Sequence, residues 1–183
     1  MKTFYLARHG ESQSNLERLC AGGGYDSPLT SLGHEQAKNL AQRIRDNKDL
    51  SFDVIIHSGM KRAHDTAKAV HAHFPHLEFK KHEHFMEHHV GDWEGQNWDD
   101  IAPLWLKGVN PPNGETWGDF HKRVANAYNV LKPVYKSPLI VAHGGIVKAT
   151  HDTFGLPVED HIPNTSLYRF EQNDNLKWTA TLL

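Results

Sequence analysis

Two segments far apart in the chain end alike. FYLARHG runs a short apolar stretch into Arg8, His9 and Gly10, and SPLIVAHGG runs another into His143, Gly144 and Gly145. Between them, FDVII ends at His57-Ser58 and leads into a helical stretch that carries Arg62. Two guanidiniums and two imidazoles gathered in one place would hold a compact, multiply charged anion, because guanidinium forks bind phosphate bidentately and stay charged at any relevant pH. Each charge-assisted hydrogen bond contributes about 1.5–3 kcal/mol, so a few suffice to anchor a phosphoryl group. Glycine directly after a histidine lets backbone amides approach the ligand. A neutral imidazole is also a competent nucleophile near neutral pH, and Arg8 beside His9 favours that form, since a like charge disfavours protonation.

Whether these groups meet depends on the elements that carry them. Short apolar runs alternate with amphipathic ones, the pattern of an α/β fold with crossover helices. Strands are expected over Thr3–Ala7, Phe52–Ile56 and Leu139–Ala142, with two closing strands over Ser166–Phe170 and Lys177–Thr181. Helices are expected over Leu32–Arg45 and Met60–Phe74, around Trp98–Trp105, over Phe120–Leu131 and from about Ile146. Lys81–Gly95 follows neither period and reads as a structured loop. The expected architecture is a three-layer sandwich: a mostly parallel central sheet with helices on both faces. Ligands of such sheets sit at the carboxyl ends of the strands, where Arg8-His9, His57-Ser58 and His143-Gly144 would share one rim.

Composition narrows the function classes. The chain has 183 residues, enough for one domain over 1–183 with a real core, and its five Trp and eight Phe speak for a packed globule. A formal net charge of -2 with interleaved signs is no nucleic-acid footprint. No apolar run approaches membrane-spanning length, and Arg8 interrupts any signal-peptide core. Cys20 is alone, so no internal disulfide forms, and a cytoplasmic setting is expected. No G-x-S-x-G elbow accompanies the HGG, no P-loop lysine motif is present, and no arginine follows Cys20 closely as a thiol phosphatase would need.

Taken together and in order, the motifs resemble those of the histidine phosphatase superfamily, the phosphoglycerate-mutase-like family, over almost the whole chain. Arg8-His9-Gly10-Glu11-Ser12 with Asn15 and Arg18 is similar to its nucleophile motif. Asp26, Pro28, Leu29, Thr30, Gly33, Gln36 and Ala37 follow its next segment, and Ser58 with Arg62-Ala63 and Thr66-Ala67 the one after. Glu87, Gly91 and Trp93-Glu94-Gly95, then Pro112 with Gly114-Glu115-Thr116, and finally His143-Gly144, complete the series. The resemblance implies a phosphoglycerate-mutase-like fold and a phosphohistidine mechanism. His9 would attack phosphorus, while Arg8, Arg62 and His143 would hold the phosphoryl oxygens. Glu87 would act as acid and then base. Ser12, Asn15, Arg18 and Gly144 would add phosphate or substrate contacts. No metal or cofactor is implied; the partners are a small phosphorylated substrate and inorganic phosphate as product. His88-His89-Val90 and Lys148 depart from the usual pattern near the expected leaving group.

The same centre serves phosphatases and mutases. The segment Gln96–Lys136 is short and reads as two helices, leaving little lid to exclude water, so hydrolysis is favoured. The nearest rival lies in HEHFMEHH, where His84, Glu87 and His88 spell the inverted zinc-protease pattern H-x-x-E-H. That reading requires a regular helix there, for which the flanks lack a 3.6 period. A solvated or adventitiously metal-binding role is expected for His71, His73, His76, His82 and His84. Trp93, Trp98, Trp105 and Trp117 are candidates for the outer pocket wall. A non-catalytic phosphate or phosphopeptide binder, needing the cradle but not Glu87, is the remaining alternative.

Overall fold

A strand covered on both faces must be apolar throughout, whereas an edge strand need not be. In the computed structural model, which describes residues 1–183, the strands are β1 (Thr3–Arg8), β2 (Val54–His57), β3 (Glu78–Lys81), β4 (Pro138–Ala142), β5 (Leu167–Gln172) and β6 (Trp178–Leu182). They form one sheet in the order β3-β2-β4-β1-β5-β6. β1, β2, β3 and β4 pair in parallel, while β5 and β6 add antiparallel strands on the other side of β1. The helices are α1 (Gln13–Leu16), α2 (Ser31–Asp46), α3 (Lys61–His71), α4 (Trp98–Leu106), α5 (Trp117–Leu131) and α6 (Gly144–Thr153).

The pleat sorts the core into two layers. Tyr5, Ala7, Ile55, Leu139 and Val141 pack on Leu40, Ala41 and Ile44 of α2 and on Ala67 and Val70 of α3. Their sequence neighbours Phe4, Leu6, Val54, Ile56, Ile140 and Ala142 face the opposite way, onto Phe120, Val124 and Tyr128 of α5 and Ile146 and Val147 of α6. Burying each large apolar side chain contributes about 1.5–3 kcal/mol. Side-chain caps fix where helices begin: Thr30 Oγ1 accepts from Gly33 N at 2.9 Å before α2, and Thr116 Oγ1 from Asp119 N at 3.1 Å before α5.

The expected α/β sandwich is therefore the observed one, with local differences. β3 was not expected: Glu-Phe-Lys-Lys carries no apolar alternation because it is a short, mostly exposed edge, where charge is tolerated and discourages further pairing. The four-residue α1 is capped by Ser12 and is too short to give a period. α6 starts at Gly144, since two glycines hide the first helical turn from a propensity reading. α3 ends at His71 rather than at Phe74. Beyond the end of β3, the stretch to Gly95 is loop apart from two single 3-10 turns, Glu83–Phe85 and Gly91–Trp93.

Candidate active site

Parallel pairing of β1 with β4 sets Arg8 opposite Ala142, so the next residues, His9 and His143, leave the sheet side by side. Their ring centroids lie 5.2 Å apart at 61°, and the two residues are 3% and 0% exposed. β2 ends beside them on the other side of β4, delivering Ser58. At the same rim α3 brings in Arg62, which is 1% exposed despite its charge. The loop after β1 lies directly on the start of α2, which is why Gly10 and Gly33 carry no side chain. A Cβ on Gly10 would sit 2.4 Å from Gly33 O, and one on Gly33 only 1.9 Å from Glu11 O.

The hydrogen bonds fix which imidazole nitrogen is free. His9 Nδ1 lies 2.6 Å from Gly10 O, and a carbonyl can only accept, so Nδ1 carries the proton and Nε2 keeps its lone pair. Thr66 Oγ1 accepts from Gly10 N at 3.1 Å, and Asn164 Nδ2 donates to His9 O at 3.0 Å, so the backbone at His9 is held on both sides. Ser58 Oγ lies 2.8 Å from His143 Nε2 and accepts from Met60 N at 3.3 Å. His143 Nδ1 and Arg8 Nε are buried with no partner in the protein. Unpartnered polar groups at one buried place are what an anion would satisfy. Burial pushes both imidazoles well below the usual histidine range, and the Arg62 and Arg8 charges add to the effect. Burial is the larger cause, ahead of the neighbouring arginine that the sequence pointed to. Burial also lowers both guanidiniums, against a pull upward from Glu87.

Arg62 is more occupied than expected. Its Nη1 donates to Tyr25 O and Asp26 Oδ1, each at 3.2 Å, and its Nη2 to Ala21 O and Gly22 O, each at 3.3 Å. The guanidinium thus fastens the 21–26 loop while lining the cavity. Arg8 Nη1 donates to Ile162 O.

Glu87 reaches the same cavity from the loop between β3 and α4. Its Oε1 accepts from His88 N at 2.9 Å and its Oε2 from Gly145 N at 3.0 Å, in the first turn of α6. A Cβ on Gly145 would lie 2.2 Å from Glu87 Oε1, so the second glycine of HGG makes room for the acid. Two further carboxylates brace the walls. Glu94 accepts from the amides of Gly22 and Gly24, both at 2.9 Å, and from Val90 N at 3.2 Å. Glu115 forms a two-pronged pair with Arg123, Nε at 2.8 Å and Nη2 at 2.7 Å. Arg123 also donates to the carbonyls of His84, Met86 and Glu87 at 2.8, 2.9 and 3.3 Å, clamping the acid's own loop.

Of the expected site residues, Arg8, His9, Asn15, Arg18, Arg62, Glu87 and Gly144 line one open cavity of about 590 Å³; His143 is not in the lining but is buried behind it, packed against His9. Asn15 Oδ1 accepts from Ser12 N and from Asn164 Nδ2, each at 3.2 Å, leaving its NH2 group as the donor a ligand can use. Arg18 stands at the mouth in a pair with Asp99. Ser12 does not reach the cavity: it is fully buried as the cap of α1, bonded to Ser14 Oγ at 3.0 Å. Trp98 and Trp105 line the mouth; Trp93 is buried in a small cluster with Cys20, Val90 and Ile101, and Trp117 packs on Trp105 with centroids 4.3 Å apart. Burial pushes the Cys20 thiol up to about 12, aided by Glu94 and Glu87. Arg123 and Asn164 were not expected. A lone arginine on the polar side of a helix reads as solvent-facing, and Asn164 lies in an aperiodic loop.

The zinc pattern fails on geometry. Residues 84–88 are not a helix, and His88 Nε2 is 2.7 Å from Glu115 O, while Glu87 faces the phosphate-type cavity. No three His, Cys, Asp or Glu side chains come together as a metal would need. His71 is not simply solvated: it stacks on Phe79 at 4.8 Å and approaches Leu77 O at 3.0 Å. No helix is long and apolar enough to cross a membrane.

Comparison with known proteins agrees with this picture. Residues 4–182 match the histidine phosphatase superfamily (branch 1). A Bacillus subtilis protein named uncharacterized phosphatase PhoE is 32% identical over 151 residues, covering 81% of this chain and 75% of its own. A 2,3-bisphosphoglycerate-dependent phosphoglycerate mutase of Brucella canis is 32% identical over 164 residues, 81% of this chain and 79% of that one. The crystal structure of the alpha-ribazole phosphatase from Shigella flexneri superposes with a TM-score of 0.82 at 28% identity, covering 99% of this chain and 95% of the other.

Proposed function

The chain belongs to the histidine phosphatase superfamily and is a phosphatase, and we propose that it hydrolyses the monoester of a small phosphorylated metabolite through phosphohistidine at His9, as a single catalytic domain in a cytoplasmic setting. The observation that carries this reading is the 2.6 Å contact between His9 Nδ1 and Gly10 O. With its Nδ1 proton given to Gly10 O, its Nε2 lone pair is free in a cavity that also holds Arg8, Arg62 and Glu87.

In the first half-reaction Nε2 attacks phosphorus in line, an N–P bond forms and the ester P–O bond breaks. Glu87 gives its proton to the departing alkoxide. Arg8, Arg62 and the Nδ1–H of His143 stabilise the phosphoryl oxygens as charge spreads over them, the main task in phosphoryl transfer. In the second half, Glu87, now ionised, takes a proton from water, whose oxygen attacks phosphorus as the N–P bond breaks. Inorganic phosphate leaves, and Glu87 and His9 are restored.

Transfer to a sugar acid is the second reading, favoured by the likeness to the Brucella mutase. Hydrolysis is preferred because much of the short segment Gln96–Lys136 is taken up by α4 and α5, leaving little lid to keep water from a phosphorylated intermediate. The test is hydrolysis of p-nitrophenyl phosphate in excess chelator, which should persist in the wild type and vanish in His9→Ala. On an alkyl phosphate, Glu87→Gln should slow turnover by about 10²–10⁴-fold. Retained activity in His9→Ala overturns the proposal. A non-catalytic binder would show phosphate affinity and no turnover at all.

A further inference from the structure

The phosphate cradle occupies only the floor of the cavity. The cavity as a whole holds about 590 Å³, a volume typical of sites for drug-sized organic ligands rather than for a bare anion. What lines this upper part is chemically different from the floor. Trp98 and Trp105, one face of α4, stand with ring centroids 5.6 Å apart at 63°. Leu106 at the end of α4, Leu19 from the segment bridged to Asn97 before α4, and Ile162 complete an apolar collar. Leu106 is 77% exposed and Trp98 36%, so the collar presents apolar surface to solvent at the mouth of the cavity.

Of the two cations at this level, Arg18 alone sits in an ion pair. Arg18 is held by both oxygens of Asp99. Lys148 donates to Asp160 O at 2.5 Å, and the Asp160 residue itself lines the wall. Glu11 accepts from Thr30 Oγ1 at 2.7 Å, and His161 is the remaining titratable group at the mouth. A carboxylate or second phosphate would thus find one cation outside an ion pair, Lys148, with the acidic residues Asp160 and Glu11 in the same lining. A flat apolar group instead covers two indoles and displaces only water.

We infer that the collar is a leaving-group subsite, and that the preferred substrates are monophosphates of aromatic or similarly flat apolar alcohols rather than phosphorylated sugar acids. The inference rests on the phosphatase reading above and specifies its substrate class. Trp98 and Leu106 are its specificity-determining residues, since both are exposed and neither touches the reacting atoms.

The test must hold leaving-group basicity constant, so it compares 2-phenylethyl phosphate with ethyl phosphate, and both with 3-phosphoglycerate. The wild type should show kcat/KM for the phenylethyl ester about tenfold or more above the ethyl ester, the discrimination an apolar pocket ordinarily supplies, with 3-phosphoglycerate the poorest. Trp98→Ala and, separately, Leu106→Gln should each lower the phenylethyl-to-ethyl ratio several-fold. Leu106 is the safer site for folding, and thermal melts of both variants confirm that they remain folded. A wild-type ratio near one, a preference for 3-phosphoglycerate, or a ratio unmoved by both substitutions overturns the inference. In those cases turnover of p-nitrophenyl phosphate that requires His9 would leave the phosphatase reading standing. Loss of that turnover as well would remove both.

Discussion

Two buried histidines with depressed proton affinity make stability depend on pH in a window where ordinary carboxylates are silent. His9 and His143 are held well below their usual range by burial and by the two arginines, whereas in the unfolded chain they titrate near about pH 6.5. A group depressed on folding contributes fully above its unfolded pKa and loses that contribution as pH falls through the gap. The unfolded chain takes up protons there that the folded one refuses. Each ring then removes about 1.4 kcal/mol per pH unit below about pH 6.5. At about pH 5 this is about 2 kcal/mol for each ring and about 4 kcal/mol for the pair, a large part of the roughly 5–15 kcal/mol of a typical domain. The lowered carboxylates Asp46, Asp65, Glu78 and Glu83 act only near and below their own ordinary range, at more acid pH. His57, pushed down to about 4 mainly by burial, and His82, His88 and His151 add in the same direction. The assay is urea unfolding at several pH values between about 7.5 and 5 in phosphate-free buffer, because a bound anion would support the imidazolium forms. Wild type and the double variant His9→Gln with His143→Gln are compared, so the other histidines cancel. The slope of stability against pH should differ by about two protons. Equal slopes would refute the reasoning, since both rings would then titrate alike in the folded and unfolded chain.

Other perturbations follow from single contacts. Arg123→Ala leaves Glu115 unpaired and frees the carbonyls that hold the acid's loop; a loss of about 2–3 kcal/mol and a melting temperature lower by about 5–10 °C are expected for a pair this buried in a chain this long. Its activity should fall more on ethyl phosphate than on p-nitrophenyl phosphate, whose leaving group departs without a proton, and equal losses would assign Arg123 a purely structural part. Gly145→Ala forces Glu87 aside, and a rate loss of about 10²-fold on an alkyl ester is expected from misplacing the acid by an ångström or so; full activity would show that the carboxylate position is not critical. Arg62→Lys keeps the charge but cannot span Tyr25, Asp26, Ala21 and Gly22, so phosphate affinity should drop and the 21–26 loop should become protease-sensitive, both readable by competition and limited digestion.

The strands that carry the chemistry were legible because they are buried on both faces and so read as unbroken apolar runs: FYLA, VII and PLIVA admit no other placement. β3 was not, because an exposed edge of Glu, Phe and two Lys obeys no burial pattern. The cradle could be read from strand ends followed by glycine, since topology alone brings those ends to one rim. What escaped was the bracing. Arg123, Glu94 and Asn164 act through long-range bonds to backbone atoms, and a bond to a carbonyl or an amide leaves no trace in the identity of its partner. Ser12 shows the opposite error: it follows His9 by only three residues, yet its hydroxyl turns inward to cap α1. Histidine spacing in 82–89 likewise spelled a metal motif that only a helix could have realised, and the backbone there is not one.

The account turns on His9 Nε2 becoming bonded to phosphorus during turnover, and rapid acid-free quenching with a labelled phosphomonoester measures that directly. Peptide mapping should place an acid-labile, base-stable phosphoryl group on His9, at higher occupancy in Glu87→Gln, where hydrolysis of the intermediate is slowed. Turnover without any labelled protein, or a label that persists in His9→Ala, contradicts it.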